Sequence, residues 1–276
     1  MKISKAFILC VLLGFQSLLA ANVDTVITYS PSMQKKIKAV IVTPDDYSNV
    51  KKYPVLYLLH GYSGDYAGWI NGMPNSKSLA DTYRYIIVCP DGAYSSWYFD
   101  SPVDPAWKYE TYISKELVEW VDKNYSTVAT REGRAITGLS MGGHGGLYLG
   151  FRHQDVFGAC GSMSGGVDIR SFPLNWDISK RLGDMKTNPE NWEKHTVMNQ
   201  LYLLSPNSIK IIIDCGTEDF FYAVNVRLHE ELMYRNIPHE FISRPGGHNA
   251  AYWNNAILYQ GLFFANYFSS SKINNF

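Results

Sequence analysis

The stretch Thr137-Gly138-Leu139-Ser140-Met141-Gly142-Gly143-His144-Gly145-Gly146 decides how this chain is read. Residues 134–138 have the character of a short buried strand, and residues 145–151 have the small and apolar side chains of a buried helix. Ser140 therefore falls on a sharp strand-to-helix turn, a nucleophile elbow. Such a turn strains its central residue and brings strand and helix so close that flanking side chains would collide, a need that Gly138 and Gly142 meet. A helix beginning at Met141 aims unpaired N–H groups and the positive end of its dipole at the space above Ser140, where forming negative charge is stabilised. A G-x-S-x-G pattern also arises by chance in a chain with 22 glycines. The strand before it, the helix after it and acid and base candidates downstream lift it above chance.

Outward from the elbow, strands and helices alternate. Residues 55–59 (Val-Leu-Tyr-Leu-Leu) and 85–89 (Tyr-Ile-Ile-Val-Cys) are continuous apolar runs, as expected of parallel strands buried on both faces. Residues 157–162, 209–214 and 239–243 read as further strands, and residues 23–28 and 37–42 as an antiparallel pair at one sheet edge. Residues 110–125 carry Ile113, Leu117, Trp120 and Val121 at helical spacing. Helices are also expected over 220–235 and 251–268. Residues 165–201 interrupt the alternation and are expected to form a small cap insertion. The pattern predicts an α/β fold, one mostly parallel sheet with helices on both faces.

Length and composition narrow the class. A chain of 276 residues with no linker or repeat reads as one domain over 22–276. It follows a leader at 1–21, in which Lys2 and Lys5 precede an apolar run to Ala20 that is short for a membrane span. Export with leader cleavage, to the periplasm or beyond the cell, is the expectation. At Cys10, Ile8 and Leu9 stand where a lipidation motif needs a small residue. The 25 basic and 25 acidic residues balance, so no broad field attracts nucleic acid or an anionic membrane. With 20 Tyr, 13 Phe and 7 Trp, the chain suits a large core and also a site that handles sugars or aromatic rings. Cys89, Cys160 and Cys215 read as small core residues without metal-ligand spacing, and the sequence leaves a bridge between one pair of them open. The scattered acids show no calcium-loop spacing, and nothing implies a metal.

A serine hydroxyl needs a positioned base. Of the seven histidines, only His248 lies in a glycine-flanked loop after the last strand, which assigns it as general base. His60 reads as a residue that orients the loop His60-Gly61-Tyr62. The acid belongs in the turn Cys215-Gly216-Thr217-Glu218-Asp219, where Asp219 fits best, Glu218 is the alternative and Asp214 still belongs to the strand. Asp219 also reads as a helix N-cap, and both roles hold only if its two oxygens divide the work. The backbone N–H groups of Tyr62 and Met141 are the expected oxyanion donors. Trp97 and Tyr98 in Trp97-Tyr98-Phe99-Asp100-Ser101-Pro102 are candidates to wall a substrate cleft, with Phe99 packed on the core edge.

With Leu59-His60-Gly61, that aromatic loop, Gly138-Leu139-Ser140-Met141-Gly142-Gly143, the Asp219 turn and Gly247-His248 together, nearly all of the chain beyond the leader resembles the bacterial putative-esterase family. That family groups feruloyl and acetylxylan esterases, S-formylglutathione hydrolases and mycolyltransferases. The resemblance implies an α/β-hydrolase fold, a Ser140-Asp219-His248 triad, no cofactor, and cleavage of small-molecule or polysaccharide esters through an acyl-enzyme. It leaves open an acyltransferase or an S-formylglutathione-hydrolase-like esterase. A reading of another class is a non-catalytic carbohydrate-binding protein on the same scaffold.

Overall fold

The computed structural model describes residues 21–271. The leader assigned to 1–21, with Cys10, lies outside the described residues apart from Ala21. Eight strands form one sheet: β1 (Asn22–Ser30), β2 (Lys35–Thr43), β3 (Val55–Leu59), β4 (Ile86–Pro90), β5 (Arg134–Gly138), β6 (Ala159–Met163), β7 (Lys210–Gly216) and β8 (Glu240–Arg244). Their spatial order is β1-β2-β4-β3-β5-β6-β7-β8. The β1–β2 and β2–β4 pairs are antiparallel and the other pairs parallel.

Because successive strand residues point to opposite faces, the apolar runs build two cores. Val55, Tyr57 and Leu59 join one core, with Leu147 of the elbow helix (Met141–Arg152) and Leu228 of the helix Tyr222–Tyr234. Leu56 and Leu58 join the other, with Leu79 of the helix Asn75–Tyr83 and Phe264 of the last helix, Ala250–Ser270. The helix expected over 110–125 forms with a widened turn at Tyr112–Leu117, and Ile113, Leu117 and Val121 are buried. Cys89, Cys160 and Cys215 are buried and free, so none is bridged.

The insertion between β6 and β7 contains the short helices Ile178–Leu182 and Pro189–His195. Most of its apolar residues, Ile178, Leu182 and Trp192 among them, pack into the main core. It reaches the site's mouth through Trp176. Among the described residues no helix is long and apolar enough to cross a membrane.

Candidate active site

Parallel strands all end at one edge of the sheet, and loops leaving that edge converge. Ser140 follows β5, Asp219 follows β7, His248 follows β8, and Tyr62 follows β3. Ser140 has φ 55° and ψ −115°, a strained conformation for a residue with a side chain. Its own backbone holds it there: Ser140 N–H donates to Met163 O at 2.9 Å, and His144 N–H donates to Ser140 O at 3.0 Å. A Cβ at Gly142 would run into the Leu59 and His60 carbonyl oxygens, and one at Gly138 into Leu59 O, so the approach of elbow to β3 excludes side chains there.

The three polar side chains meet in a chain. His248 Nδ1 lies 2.8 Å from Asp219 Oδ2, and His248 Nε2 lies 2.9 Å from Ser140 Oγ. A carboxylate only accepts, so Nδ1 carries the proton and the Nε2 lone pair faces the serine hydroxyl. Asp219 Oδ1 meanwhile accepts from Phe221 N–H at 2.8 Å. The two oxygens take different partners, one closing a turn onto Phe221 N–H and the other fixing the imidazole, but the helix begins at Tyr222 with Phe221 at its N-cap, so Asp219 is not the cap expected of it. Glu218 is exposed, while Asp214 is buried within β7, where it accepts from Tyr252 Oη at 2.6 Å and Arg244 at 2.8 Å. Burial pushes the Asp214 carboxyl up, with Tyr252 and Arg244 pulling the other way.

Neither Tyr62 N–H nor Met141 N–H donates to a partner among the described residues, while the neighbouring Ser63, Gly64 and Gly142 N–H groups all do. His60 is buried between them and β4. Gly92 N–H donates to its Nε2 at 2.8 Å, so Nδ1 is the protonated atom and donates to Gly61 O at 2.7 Å. His60 thus pins the Tyr62 loop, the orienting role expected of it.

Trp97 and Tyr98 are placed differently from expectation. They are 1% and 0% exposed and do not line the cleft. Both have positive φ, which curls the loop inward. Tyr98 Oη donates to His60 O at 3.0 Å, and Trp97 Nε1 donates to Trp176 O at 3.1 Å. They brace the site from beneath, and Phe99 is buried beside them.

The cleft over Ser140, ≈ 530 Å³, is walled instead by Trp176, Phe220, Trp253 and Met73, with Tyr62 at its edge. The Phe220 ring lies 4.2 Å from that of His248, centroid to centroid, and Trp253 meets the same imidazole edge-on at 4.9 Å. Trp176 stacks on Phe220 at 5.6 Å. Sequence reasoning missed these three rings. Phe220 directly follows Asp219 and Trp253 lies in the first turn of the helix that follows His248, so proximity to those residues was the available signal; Trp176 carried none. A larger cavity, ≈ 630 Å³, lies at the far end of the elbow helix around Glu110, Arg152 and His153, away from the serine. Among the described residues no group of three or more His, Cys, Asp or Glu side chains is placed to hold a metal ion.

A family profile described as Putative esterase matches residues 30–263. An esterase of Mycobacterium tuberculosis is 30% identical over 235 residues, 75% of this chain and 51% of that protein. The chain therefore spans about half the length of that relative. An acetyl esterase of Caldicellulosiruptor saccharolyticus is 25% identical over 249 residues, 83% of this chain and 92% of that one. Among solved structures, a ferulic acid esterase superposes with a TM-score of 0.78 at 29% identity, covering 91% of this chain and 99% of the other. The chain belongs to the putative-esterase family, serine esterases with the α/β-hydrolase fold.

Proposed function

We propose that this protein is an exported serine carboxylesterase that cleaves feruloyl or acetyl esters on plant or other polysaccharides through an acyl-enzyme. The observation that carries the reading is the continuous Asp219–His248–Ser140 chain below two unpartnered N–H groups. In the proposed reaction Ser140 Oγ attacks the ester carbonyl carbon while its proton passes to His248 Nε2. The carbonyl oxygen takes up negative charge and receives hydrogen bonds from Tyr62 N–H and Met141 N–H. Collapse breaks the ester C–O bond, the leaving alcohol takes the proton from Nε2, and the acyl group stays on Ser140. Water then repeats the sequence and releases the acid. Asp219 holds the imidazole in the required tautomer and balances its transient charge.

Support for the substrate class comes from the cleft and from the relatives. Its walls are aromatic, and Phe220 is 53% exposed, a surface suited to a phenolic ring or a sugar face. An acetyl esterase and a ferulic acid esterase are among the similar proteins. Export rests on Lys2, Lys5 and the apolar run that follows.

The test is hydrolysis of methyl ferulate and of a short-chain acetyl ester, with Ser140→Ala beside the parent. We expect the substitution to lower turnover by at least about 1,000-fold. Acetyl cleavage alone would move the substrate to acetylated polysaccharide. Loss of every Ser140-dependent activity, with glycan binding retained, would replace the esterase by a carbohydrate-binding protein.

A further inference from the structure

His248 stands on a loop that has little of its own to hold it. Residues 245–249 join β8, the last strand at one edge of the sheet, to the helix Ala250–Ser270. Gly246 and Gly247 are consecutive in it, and Gly246 has φ 139°, a backbone region that residues with side chains rarely adopt. Such a segment samples many conformations unless its ends are fixed. The cost of drift is large, because a base misplaced by about 1 Å loses about 100-fold in rate.

Both ends of the loop converge on one carboxylate, Asp214 of β7, which the proposed reaction leaves unused. Arg244, the residue before the loop, donates from Nη2 to Asp214 Oδ2 at 2.8 Å. Tyr252, in the first turn of the helix after it, donates from Oη to Asp214 Oδ1 at 2.6 Å. Each oxygen thus takes one flank. Asp214 and Tyr252 are both buried, and burial together with the neighbouring Asp214 carboxylate pushes the Tyr252 phenol up, so Oη keeps the proton it donates. The Arg244 guanidinium lies over the rings of Tyr252 and Tyr259, at 4.9 Å and 4.4 Å, and its Nε and Nη1 have no hydrogen-bond partner among the described residues. Its hold on the carboxylate is therefore what fixes its head. The Tyr252 ring also packs on the loop itself: a Cβ at Gly246 would run into Tyr252 Cδ2, and one at Gly216 into Gly246 O. Glu218 N–H donates to Gly246 O at 3.0 Å, so the same loop rests on the turn that carries Asp219. Asp214, Arg244 and Tyr252 do not line the cleft over Ser140.

We infer that Asp214 is a positioning residue for the general base: with Arg244 and Tyr252 it clasps both ends of the His248 loop and holds the imidazole between Asp219 and Ser140. The inference rests on His248 as the base of the reaction above. A buried ion pair adds little to stability that apolar packing would not supply. What a carboxylate supplies here is direction, since its two oxygens accept from opposite sides of one loop and set the span between them. No bond changes at Asp214, and it acts on the reaction through His248 alone.

The experiment releases one flank at a time. Tyr252→Phe removes a single hydroxyl and leaves the Asp214–Arg244 pair, whereas Asp214→Asn keeps an oxygen for Tyr252 Oη and turns an NH2 group toward Arg244. With para-nitrophenyl acetate as substrate, each should lower kcat by about 10- to 100-fold with KM kept, counted per folded molecule from urea denaturation at the assay temperature. Arg244→Lys, which keeps a positive charge for the carboxylate, should recover most of the turnover lost in Arg244→Met. A kcat per folded molecule equal to the parent's in both Tyr252→Phe and Asp214→Asn overturns the clasp, as does a rise in KM with kcat kept. An Arg244→Lys variant no better than Arg244→Met also counts against it. A second arm reads the base without turnover, by imidazole nitrogen NMR of His248 in Ser140→Ala. The tautomer with its proton on Nδ1 should dominate there and give way to a mixture when Tyr252→Phe or Asp214→Asn is added; an unchanged tautomer in both overturns the clasp. Loosening of the tautomer in a protein whose parent shows no Ser140-dependent hydrolysis would remove the esterase reading and leave the clasp standing.

Discussion

Asp219 carries two tasks on one carboxylate, and an amide separates them. In Asp219→Asn, the carbonyl oxygen can keep the hydrogen bond from Phe221 N–H, and the NH2 group then faces His248 Nδ1. That donor forces the imidazole into the tautomer with its proton on Nε2, which no longer accepts from Ser140. Turnover should fall by on the order of 10⁴-fold with the thermal midpoint little changed. An active Asp219→Asn, measured on the same ester as the parent, would mean that another group orients the base. The choice of Asp219 over Glu218 lay within reach of the sequence only as a preference. One residue of turn phase separates a buried side chain from an exposed one, and that phase depends on Thr217 N–H and Glu218 N–H donating to Arg244 O and Gly246 O across the neighbouring loop, each at 3.0 Å.

At the scale of elements, the elbow helix lies against the end of β3 with no space for a methyl group at Gly142. Gly142→Ala should cost about 1–3 kcal/mol in urea denaturation, because the added carbon meets two backbone carbonyls rather than a side chain that can turn away. It should also lower turnover, since those carbonyls belong to Leu59 and His60, next to the loop that presents Tyr62 N–H. A variant as stable and as active as the parent would show that β3 yields more easily than its hydrogen bonds suggest. Strands were the most legible elements. β3 occupies the same residues as its apolar run, and β7 outlasts its apolar core by two residues because pairing with β8 continues to Gly216 and Arg244. The loop of Trp97 and Tyr98 was not legible. Left-handed backbone at two consecutive aromatic residues is disfavoured locally, and only the surrounding contacts impose it.

Across the whole molecule, His144 ties the elbow helix to two distant segments, with Nδ1 3.0 Å from Trp97 O and Nε2 2.8 Å from His195 O. Burial pushes its imidazole down to about 4, although both carbonyls favour protonation. The folded protein therefore resists a proton that the unfolded chain takes up below its ordinary value near 6.5. Stability from this residue is complete above about pH 6.5 and is lost as the pH falls toward 4, by at most about 3 kcal/mol. Urea denaturation at pH 7 and pH 4.5 should show a smaller acid loss in His144→Asn than in the parent; equal losses would place the acid sensitivity elsewhere. The sequence disclosed the sheet, the helices on both faces and the three residues that meet as Asp219–His248–Ser140, because each follows from local periodicity or from loop order. It did not disclose the aromatic mouth, which is assembled from Trp176, Phe220 and Trp253 out of three separate segments. The sealed cysteines have a practical side. Burial holds the thiols of Cys89, Cys160 and Cys215 well above their ordinary value, and no two of them are bridged. Among the described residues the folded protein thus presents no thiolate to alkylating or oxidising reagents. A cysteine introduced on the surface, at the rim of the cleft for instance, would be the one reactive thiol among the described residues to take a fluorophore or spin label.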